Sequence, residues 1–343
     1  MTRAELEPLR QWLRNHTGLQ TDRLGPQRLE RAVDQRWRLQ GCADASDYVQ
    51  QLPRDRKEQQ RLVEQLVVGE SWFLREPRSF DQLCELARQE RSRPLRLLSC
   101  GCAGGEEPYS MVIALLEEGL PLDSFQVEAI DISAVALGRA AEGLYGSHAL
   151  RSMPPTLLGR HFQPEDQRWR LNPPLRNAVR FHQGGLQQQL AMLAGNWHVV
   201  FCRNVMLYFD DQARQRLLEA IAGRLAPQGM LVVAAAEALM VPREQFANVG
   251  GGHGAAFRPS PSPPTATATA PAPLSAGEHL ALARQQQRHR QAEQALASLR
   301  RCLYLEPQLQ EALELAATVA EELGRRQEAD RQRRRLRRQQ GER

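Results

Sequence analysis

The sequence of 343 residues has almost no lysine, since Lys57 stands against 44 arginines. Positive charge is concentrated in residues 325–343, where nine arginines against three acidic residues give a net charge of +6. Because the whole chain carries +5, residues 1–324 sum to −1. Nucleic-acid-binding domains present a basic patch or stripe. Because residues 1–324 are nearly neutral, they argue against a nucleic-acid partner. The isoelectric point of the chain, near 9.1, results from the basic last segment.

Long apolar runs are also missing. The longest, 230–241, has about a dozen residues and includes Glu237, whereas a transmembrane helix needs roughly 20 apolar residues. The first residues, MTRAELEPLRQWLRNH, contain no apolar core of the kind that a secretory signal requires. We therefore expect a cytoplasmic protein with no direct membrane insertion.

Cysteines are few and scattered, at positions 42, 84, 100, 102, 202 and 302. Cys100 and Cys102 are the one close pair, and no second cysteine pair or histidine pair stands at zinc spacing. No metal site is therefore assigned. Nothing beside the pair would activate a thiolate, so we interpret both cysteines as small buried residues rather than as a redox centre.

Residues 1–68 are expected to form an all-α domain. Leucines recur there at three- and four-residue steps, with charged residues between them and no strand alternation. Gly25-Pro26 predicts a helix over 27–40, because proline suits a first helical turn. One face of this helix carries three arginines, Arg28, Arg31 and Arg38. That face is either a docking surface for a partner or an ordinary solvated face.

Strand and helix patterns alternate from residue 95 onward. Short apolar runs followed by helical stretches are typical of a parallel sheet wound by right-handed crossovers. The predicted strands cover 95–99, 126–130, 197–202 and 230–235, and the predicted helices cover 107–118, 133–142 and 211–225. We expect residues 69–257 to form a Rossmann-like α/β domain. Residues 143–181, which carry several prolines and two short strand patterns, are expected to be a small β insertion in it.

A linker of low complexity precedes the last part of the chain. Residues 258–275 are rich in proline, alanine, threonine and serine and have no periodic apolar face, which is typical of an extended, semi-rigid linker. Residues 276–309 and 310–343 then repeat a spacing of small and apolar residues with a period of 34. The spacing predicts two tetratricopeptide-like α-helical repeats that would bind a protein partner. Because the usual aromatic positions are missing, a plain pair of helical hairpins is the alternative.

A glycine-rich turn, Gly101 to Gly105, lies between the first predicted strand and helix, in LLSCGCAGGEEPYS. A strand, such a turn and a helix N-terminus form a backbone nest that suits a nucleotide-like ligand. The turn lacks G-x-G-x-x-G and a following Gly-Lys-Ser/Thr, which weakens dinucleotide and triphosphate interpretations. Glu106 and Glu107 would also repel a pyrophosphate. They favour a ligand with a cation and hydroxyls, such as an adenosyl sulfonium with an ammonium-bearing tail.

An acidic residue ends the second predicted strand. Asp131 lies about 30 residues after the glycine-rich turn, at a position where a carboxylate can accept hydrogen bonds from ribose hydroxyls. A glycine turn with a strand-end acid also occurs for purely structural reasons, so this pair of features alone is a weak signal. The position of Asp131 nevertheless agrees with the adenosyl ligand that the glycine-rich turn favours.

Three motifs make the interpretation specific: V-G-E-S-W-F-L-R-E-P at 68–77, G-E-E-P-Y-S at 105–110 and F-C-R-N-V-M-L-Y-F-D at 201–210. Together they resemble the CheR-type chemotaxis receptor glutamate O-methyltransferases, over residues 1 to about 257. The resemblance implies a class I S-adenosylmethionine-dependent methyltransferase fold with an N-terminal helical domain. S-Adenosylmethionine would donate the methyl group, and glutamate side chains of receptor cytoplasmic coiled coils would accept it as methyl esters. The N-terminal helices would meet the receptor, and the C-terminal repeats resemble those of members with tetratricopeptide extensions.

The resemblance also implies site residues. Ser71 matches a donor-contacting residue, Arg75 matches the arginine near the reactive methyl, and Tyr208 matches a tyrosine near the same methyl. Arg75 and Tyr208 are thus the expected catalytic pair. Trp72 and Phe73, in the first motif, are expected in the core. The other cofactor-binding positions that the resemblance implies are Glu106, Asp131, Gly185, Leu186, Arg203 and Asn204.

The sequence departs from the family pattern at a few positions. Gly69 and Ser71 stand where many members have Asn and Thr, and Ala236-Glu237 replaces Ser-Glu. Gly185 replaces an Asn, so only its backbone remains to border the adenine. The insertion lacks a run of glycines, which puts in doubt the binding of a receptor C-terminal pentapeptide.

Methyl transfer to a glutamate is an in-line displacement. A carboxyl group with a pKa of about 4.3 is ionised at pH 7, so no general base is required and the lack of a His/Asp dyad is expected. The protein must align the reacting atoms and exclude water, and we hypothesise that Tyr208 and Arg75 orient the acceptor carboxylate. Two alternatives stay open. One is a methyltransferase of the same fold with another acceptor, such as an amine, and the other is a catalytically weak or inactive scaffold whose repeats recruit signalling proteins.

Overall fold

The computed structural model describes residues 5–25, 27–90, 93–250, 255–260, 276–288, 292–306 and 308–339. The chain divides into two compact units, Met1–Ser262 and Pro263–Arg343. Each unit has apolar cores of its own.

The first unit begins with a helical domain. Its α-helices are α1 (Glu7–Thr17), α2 (Arg28–Gln40), α3 (Ala45–Gln51) and α4 (Arg56–Leu66), with 3-10 turns at Thr21–Leu24 and Leu52–Arg54. Asp44 and Asp55 cap α3 and α4, because each carboxylate accepts backbone N–H groups of the first turn. The periodic leucines pack between the helices, and Leu13 and Leu62 are fully buried. The predicted all-α character is confirmed, and the helix predicted over 27–40 begins at Arg28 and ends at Gln40.

The α/β part follows in chain order. Its first elements are α5 (Arg78–Gln89), β1 (Leu95–Cys100), α6 (Glu106–Glu117), β2 (Phe125–Asp131) and α7 (Ala134–Glu142). Then come β3 (Leu144–Tyr145), α8 (Pro155–His161), β4 (Phe162–Glu165), β5 (Arg168–Leu171) and α9 (Pro173–Asn177). The last are β6 (Val179–Gln183), α10 (Leu186–Met192), β7 (Trp197–Cys202), α11 (Asp211–Ala222), β8 (Leu225–Val232), β9 (Phe246–Asn248) and β10 (Ala256–Pro259), with 3-10 turns at Met206–Tyr208 and Ala235–Met240.

A seven-stranded sheet with the order β6-β2-β1-β7-β8-β10-β9 organises this part. The first five strands are parallel, and β10 and β9 are added antiparallel at one edge. In the central strand β1, Leu97 pairs with Val127 of β2 on one side and Val199 of β7 on the other. The chain order therefore reverses beside β1, and the carboxyl ends of β1, β2 and β7 open into one crevice, where α/β proteins bind ligands. The predicted mostly parallel sheet is confirmed.

The insertion forms a separate small sheet with the order β3-β5-β4, and its strands are antiparallel. The sequence predicted two strands over 143–181, but three short ones are present. The end of that range was also wrong, because residues 179–181 belong to β6 in the main sheet. At the other end of the domain, β10 extends to Pro259, so the linker predicted from residue 258 begins later. Residues 261–275 lie outside the described residues.

The second unit is helical over its described residues. It contains α12 (Ala276–Arg288), α13 (Ala292–Leu305), α14 (Gln310–Glu322) and α15 (Arg326–Gln339). A core of small and branched side chains, including Ala283, Leu299 and Leu313, packs between them. Each predicted 34-residue segment thus holds two helices, and their interpretation as tetratricopeptide-like repeats stays a prediction. Within the described ranges of both units, no helix has the length and apolar content needed to cross a membrane.

Candidate active site

One cleft lies at the carboxyl ends of β1, β2 and β7. Its empty volume, including the part open to solvent, is about 1030 Å³. Residues from the glycine-rich turn, the strand ends, the 67–75 segment and the helical domain line it. Eight of the nine predicted site residues are among them, namely Ser71, Arg75, Asp131, Gly185, Leu186, Arg203, Asn204 and Tyr208.

The glycine-rich turn is fixed against the end of β2. The backbone N–H groups of Gly101 and Cys102 both donate to the carbonyl of Ile130, at 2.8 and 3.1 Å. Gly101 has φ +76°, and a Cβ there would lie 2.4 Å from Cγ2 of Val205. Glycine is required at this position because a side chain would collide with the segment that follows β7.

Asp131 is the acid that faces this turn. Its Oδ2 accepts the N–H of Ala103 and its Oδ1 accepts the N–H of Ser133, both at 2.8 Å. Burial raises the pKa of this carboxyl, and the two backbone bonds oppose the shift in part. Each carboxylate oxygen can accept a further hydrogen bond. Asp131 therefore keeps acceptor capacity in the lining of the cleft.

The two glutamates at the start of α6 have different environments. Glu107 lines the cleft, and its carboxylate accepts from Ser99 Oγ at 2.7 Å and from Arg203 Nη1 at 3.1 Å. Glu106, the predicted ligand, is not among the lining residues; its carboxylate packs against Gly104, and its buried Oε2 has no hydrogen-bond partner within the described residues. Burial raises the pKa of both carboxyls. A role for Glu106 toward a ligand stays a prediction.

Arg203 joins three parts of the site. Its side chain is 2% exposed and donates to Glu107 and, through Nη2, to the carbonyl of Arg75 at 2.5 Å. The same Nη2 lies 3.5 Å from Oε2 of Glu76. Arg203 thus fixes the segment that carries Arg75 to the ends of β7 and α6, a positioning role that its sequence motif did not reveal.

The segment around Arg75 has an unusual backbone. Leu74 and Glu76 adopt φ +55° and +57°, conformations that cost roughly 1–3 kcal/mol each for such residues. They persist because Phe73 N–H donates to the carbonyl of Ala149 and Leu74 N–H donates to Oγ of Ser110, both at 2.9 Å. Phe73 is fully buried, as expected. The expectation for Trp72 was wrong, since this ring is half-buried and lines the cleft.

Tyr208 is carried by the segment after β7, which a buried carboxylate organises. Glu237 is 0% exposed and accepts the backbone N–H groups of Asn204 at 2.7 Å, Ala234 at 3.2 Å and Leu207 at 3.3 Å. Asn204 itself has φ +60°. Glu237 was visible in the sequence as part of a family motif, but its role depends on a long-range contact that no local pattern predicts.

The helical domain forms one wall of the cleft. Leu19 pairs with Phe209 in an isolated antiparallel bridge, and Gln20 N–H donates to the carbonyl of Tyr208 at 2.7 Å. Thr17 and Leu19 line the cleft. These residues belong to no recognisable motif, so they could not be predicted from the sequence.

Gly185 and Leu186 begin α10 beside the end of β6. The preceding Gly184 donates its N–H to the carbonyl of Asp131 at 2.9 Å, which keeps this turn next to the strand-end acid. A Cβ at Gly185 would lie 3.0 Å from the carbonyl oxygen of His16. The glycine found where relatives are expected to have Asn therefore permits close approach of the helical domain.

The three arginines proposed for docking differ in the structure. Arg28 donates to the carbonyls of Val67 at 3.1 Å and Gln65 at 3.4 Å, so its guanidinium supports the end of α4. Arg31 and Arg38 are exposed, and Arg38 forms an ion pair with Asp34 at 2.9 Å. The predicted face is therefore reduced to Arg31 and Arg38, because Arg28 is turned toward the protein.

The cysteine thiols and the potential metal ligands form no second functional site among the described residues. All six cysteines are free, and burial raises the pKa of Cys102 well above the ordinary thiol value. Among the described residues, no group of three or more His, Cys, Asp or Glu side chains is placed to hold a metal ion.

The fold and the cleft define the class of protein. A mostly parallel sheet, a strand-end acid opposite a glycine-rich turn and acidic residues at the following helix are features of class I S-adenosylmethionine-dependent methyltransferases. Residues 69–255 match the family described as "CheR methyltransferase, SAM binding domain", and residues 4–67 match "CheR methyltransferase, all-alpha domain". The chain belongs to the CheR methyltransferase family, and residues 69–255 are its S-adenosylmethionine-binding domain.

Several relatives match this part of the chain. The chain is 37% identical over 238 residues to the probable biofilm formation methyltransferase WspC of Pseudomonas putida, covering 68% of this chain and 56% of that protein. It is 35% identical over 239 residues to chemotaxis protein methyltransferase 2 of Pseudomonas aeruginosa, covering 67% and 84%. It is 32% identical over 203 residues to the chemotaxis protein methyltransferase of Escherichia coli, covering 57% and 71%. The chain thus spans little more than half the length of WspC.

The residues of the cleft fit S-adenosylmethionine. The ligand carries two cationic groups and a ribose, and the lining supplies the carboxylates of Asp131 and Glu107. The spare acceptor capacity of Asp131 suits ribose hydroxyls. Leu19, Leu24 and Leu186 supply the apolar surface that an adenine ring requires.

Proposed function

We propose that the protein transfers a methyl group from S-adenosylmethionine to glutamate side chains of chemoreceptor cytoplasmic domains and forms glutamate methyl esters. The observation that carries the proposal is that Arg75 and Tyr208 both line the cleft that Asp131 lines. These two hydrogen-bond donors come from segments far apart in sequence, and each segment is held by a buried side chain, Arg203 or Glu237. The names of the chemotaxis relatives support the same activity.

In this proposal the donor is held by Asp131 at its ribose, by the backbone of Gly185 and the side chain of Leu186 at its adenine, and by Ser71 and Glu107 near its charged end. Glu106 acts from behind the lining, Arg203 holds the backbone of the segment that carries Arg75, and Asn204 lies in the lining itself. S-Adenosylmethionine, when bound, supplies an electrophilic methyl group on a sulfonium. The residues of the chain orient the acceptor and keep water away from it.

Arg75 and Tyr208 orient the acceptor carboxylate. A glutamate is ionised at pH 7 and needs no base, and within the described lining of the cleft there is no histidine. A guanidinium and a phenolic hydroxyl both donate to a carboxylate, and alignment of this kind lowers a barrier by up to roughly 7–11 kcal/mol. A carboxylate acceptor therefore requires no proton transfer in this site, whereas an amine would have to lose a proton to one of the lining carboxylates.

The acceptor belongs to a sensory protein, and two outputs are candidates. The chemotaxis relatives favour receptors that govern motility, whereas the identity to WspC favours a receptor whose pathway governs biofilm formation. The exposed Arg31 and Arg38 on α2 are proposed to meet the acidic receptor helices. The C-terminal helices are proposed to bind a separate protein partner.

Transfer of labelled methyl groups tests the proposal. The purified chain of 343 residues is incubated with labelled S-adenosylmethionine and cytoplasmic fragments of candidate receptors, and the products are then treated with alkali. We expect label on the receptor fragment that alkali releases as methanol. Label that resists alkali would instead indicate an amine acceptor. If calorimetry detects no S-adenosylmethionine binding, the scaffold alternative is supported.

The Tyr208→Phe variant tests the assigned role. It removes one hydroxyl and keeps the ring, so turnover should fall far more than the affinity for S-adenosylmethionine. An unchanged turnover would show that Tyr208 does not orient the acceptor.

A further inference from the structure

Two guanidinium groups contact the indole ring of Trp72. The guanidinium carbon of Arg75 lies 4.3 Å from the centre of the indole ring, and that of Arg151 lies 3.6 Å from it. The two charged carbons are at most the sum of these distances apart, about 7.9 Å.

Arg151 comes from the insertion and is held in place. Its Nη1 donates to the carbonyl of His148 at 2.6 Å, while the next residue, Ala149, accepts the N–H of Phe73. The side chain of Arg151 nevertheless stays 32% exposed. The ring of Trp72 and the carbonyl of His148 therefore orient the guanidinium of Arg151. This group remains accessible to solvent at the rim of the cleft that Trp72 and Arg75 line.

Both guanidinium groups keep donors to spare. Arginine has five N–H donors. Within the described residues, Arg75 uses Nη1 for a long hydrogen bond of 3.4 Å to the carbonyl of Glu70. Arg151 uses its Nη1 for the hydrogen bond to the carbonyl of His148. Arg151 forms a long ion pair with Glu70, whose Oε1 lies 3.9 Å from Nη2 and whose side chain is 64% exposed. This loosely held carboxylate marks a position where an anion is attracted.

We propose that Arg151 is a specificity-determining residue that binds a second carboxylate of the acceptor, beside the glutamate that Arg75 receives. The proposal rests on the proposed function for the identity of the acceptor. Residues three or four positions apart on a helix lie on one face with Cβ atoms about 5–6 Å apart. Two glutamates at that spacing match two cations less than 8 Å apart, so the acceptor class is a helix with an acidic residue one turn from the methylated glutamate.

Binding of a defined acidic helix tests Arg151 without methyl transfer. The probe is a fluorescein-labelled alanine-based helical peptide with glutamates four positions apart, and the comparison peptide has glutamine at one of them. Anisotropy is measured at low ionic strength, because salt screens exposed charges. Arg151→Gln should weaken binding of the two-glutamate peptide by about 5-fold, the upper range for a partly exposed ion pair, and abolish its advantage over the comparison peptide. Arg151→Lys should retain part of it.

Arg168→Gln is the matched control. Arg168 is an exposed arginine of the same insertion and is not among the cations stacked on Trp72, so this variant removes the same charge at another place. The proposal is overturned if Arg151→Gln binds both peptides as the unchanged protein does, or if Arg168→Gln loses as much affinity.

Kinetics with a receptor fragment separate this inference from the proposed function. Arg151→Gln should raise the KM for the fragment by about 5-fold and change kcat little, whereas Trp72→Ala should also lower kcat because Arg75 loses its ring support, and Trp72→Phe should restore it. If the fragment is methylated and Arg151→Gln has an unchanged KM, the inference is wrong and the function stands. If no fragment is methylated but the peptide binds through Arg151, the proposed function is wrong, and Arg151 is still a residue that binds an acidic helix.

Discussion

Replacing Glu237 by glutamine is expected to loosen the segment that carries Arg203, Asn204 and Tyr208. The carboxylate accepts three backbone N–H groups, with Oε2 shared by Asn204 and Ala234 and Oε1 taken by Leu207. Glutamine keeps one oxygen. In its best orientation the oxygen serves the first two donors, and the amide NH₂ group then opposes the N–H of Leu207.

The magnitude follows from that single unsatisfied donor. A buried N–H without an acceptor costs about 1–3 kcal/mol, and loss of the buried charge returns part of this cost. We expect a net destabilisation of about 1–2 kcal/mol, which lowers the melting temperature of a unit of this size by roughly 2–8 °C. Glu237→Ala leaves all three donors unsatisfied and should be more than twice as destabilising.

The pH dependence of this group has a definite sign. Burial raises the pKa of Glu237 above its ordinary value, so the folded protein takes up this proton at a higher pH than the unfolded chain. Its contribution to the free energy of unfolding therefore grows as the pH falls from the raised pKa toward the ordinary one, and it is lost as the pH rises again. Glutamine cannot titrate, and the variant should lack this increment.

Differential scanning calorimetry of the full chain at several pH values measures both effects. Calorimetric titration with S-adenosylmethionine, well below the melting temperature, then measures the effect on the cleft, where a weaker affinity is expected because Asn204 and Tyr208 shift. A Glu237→Gln variant with the original melting temperature and the original affinity would refute the reasoning.

Three further predictions concern the turn, the strand-end acid and the helical domain. Gly101→Ala places a Cβ 2.4 Å from Val205 at φ +76°; we expect a loss of about 2–4 kcal/mol in denaturant unfolding, and a smaller loss than about 1 kcal/mol would show that the turn relaxes. Asp131→Asn should lower S-adenosylmethionine affinity about 10–100-fold in calorimetry. Since burial raises the pKa of Asp131, the affinity of the unchanged protein should fall as the pH decreases toward that pKa, whereas the variant should respond less. Arg28→Gln should reduce the unfolding free energy by about 1 kcal/mol, and Arg31→Gln should not. Equal melting temperatures of the two variants would contradict the structural role of Arg28 and would favour its predicted docking role.

The central fold could be predicted because its strands are buried on both faces. β1 and β7 appear in the sequence as short apolar runs between helical stretches, and every residue of β7 is buried. β6 was missed because it lies at the sheet edge and alternates apolar with polar residues, Val179-Arg180-Phe181-His182. The antiparallel β9 and β10 follow the parallel strands without a crossover helix, so the alternating pattern gave no sign of them.

The candidate site was predictable where a motif is local in sequence. A strand, a glycine-rich turn and a strand-end acid indicated Asp131 because consecutive parallel strands end at the same edge. The sequence could not indicate that Arg203 holds the carbonyl of Arg75, or that Arg151 contacts the ring of Trp72, because these contacts join segments that only the tertiary fold brings together. For the same physical reason Arg28 looked like a surface residue until its carbonyl partners were visible.

The bridge between Leu19 and Phe209 has a consequence for exchanging parts between relatives. The two family regions meet between residues 67 and 69, and Val67, Val68 and Gly69 all line the same cleft. A chimera that joins a foreign helical domain at this junction would therefore import one wall of the cleft together with the N-terminal helices. Acceptor choice and donor affinity would change together in such hybrids, so the unit to transplant is the whole of residues 4–255.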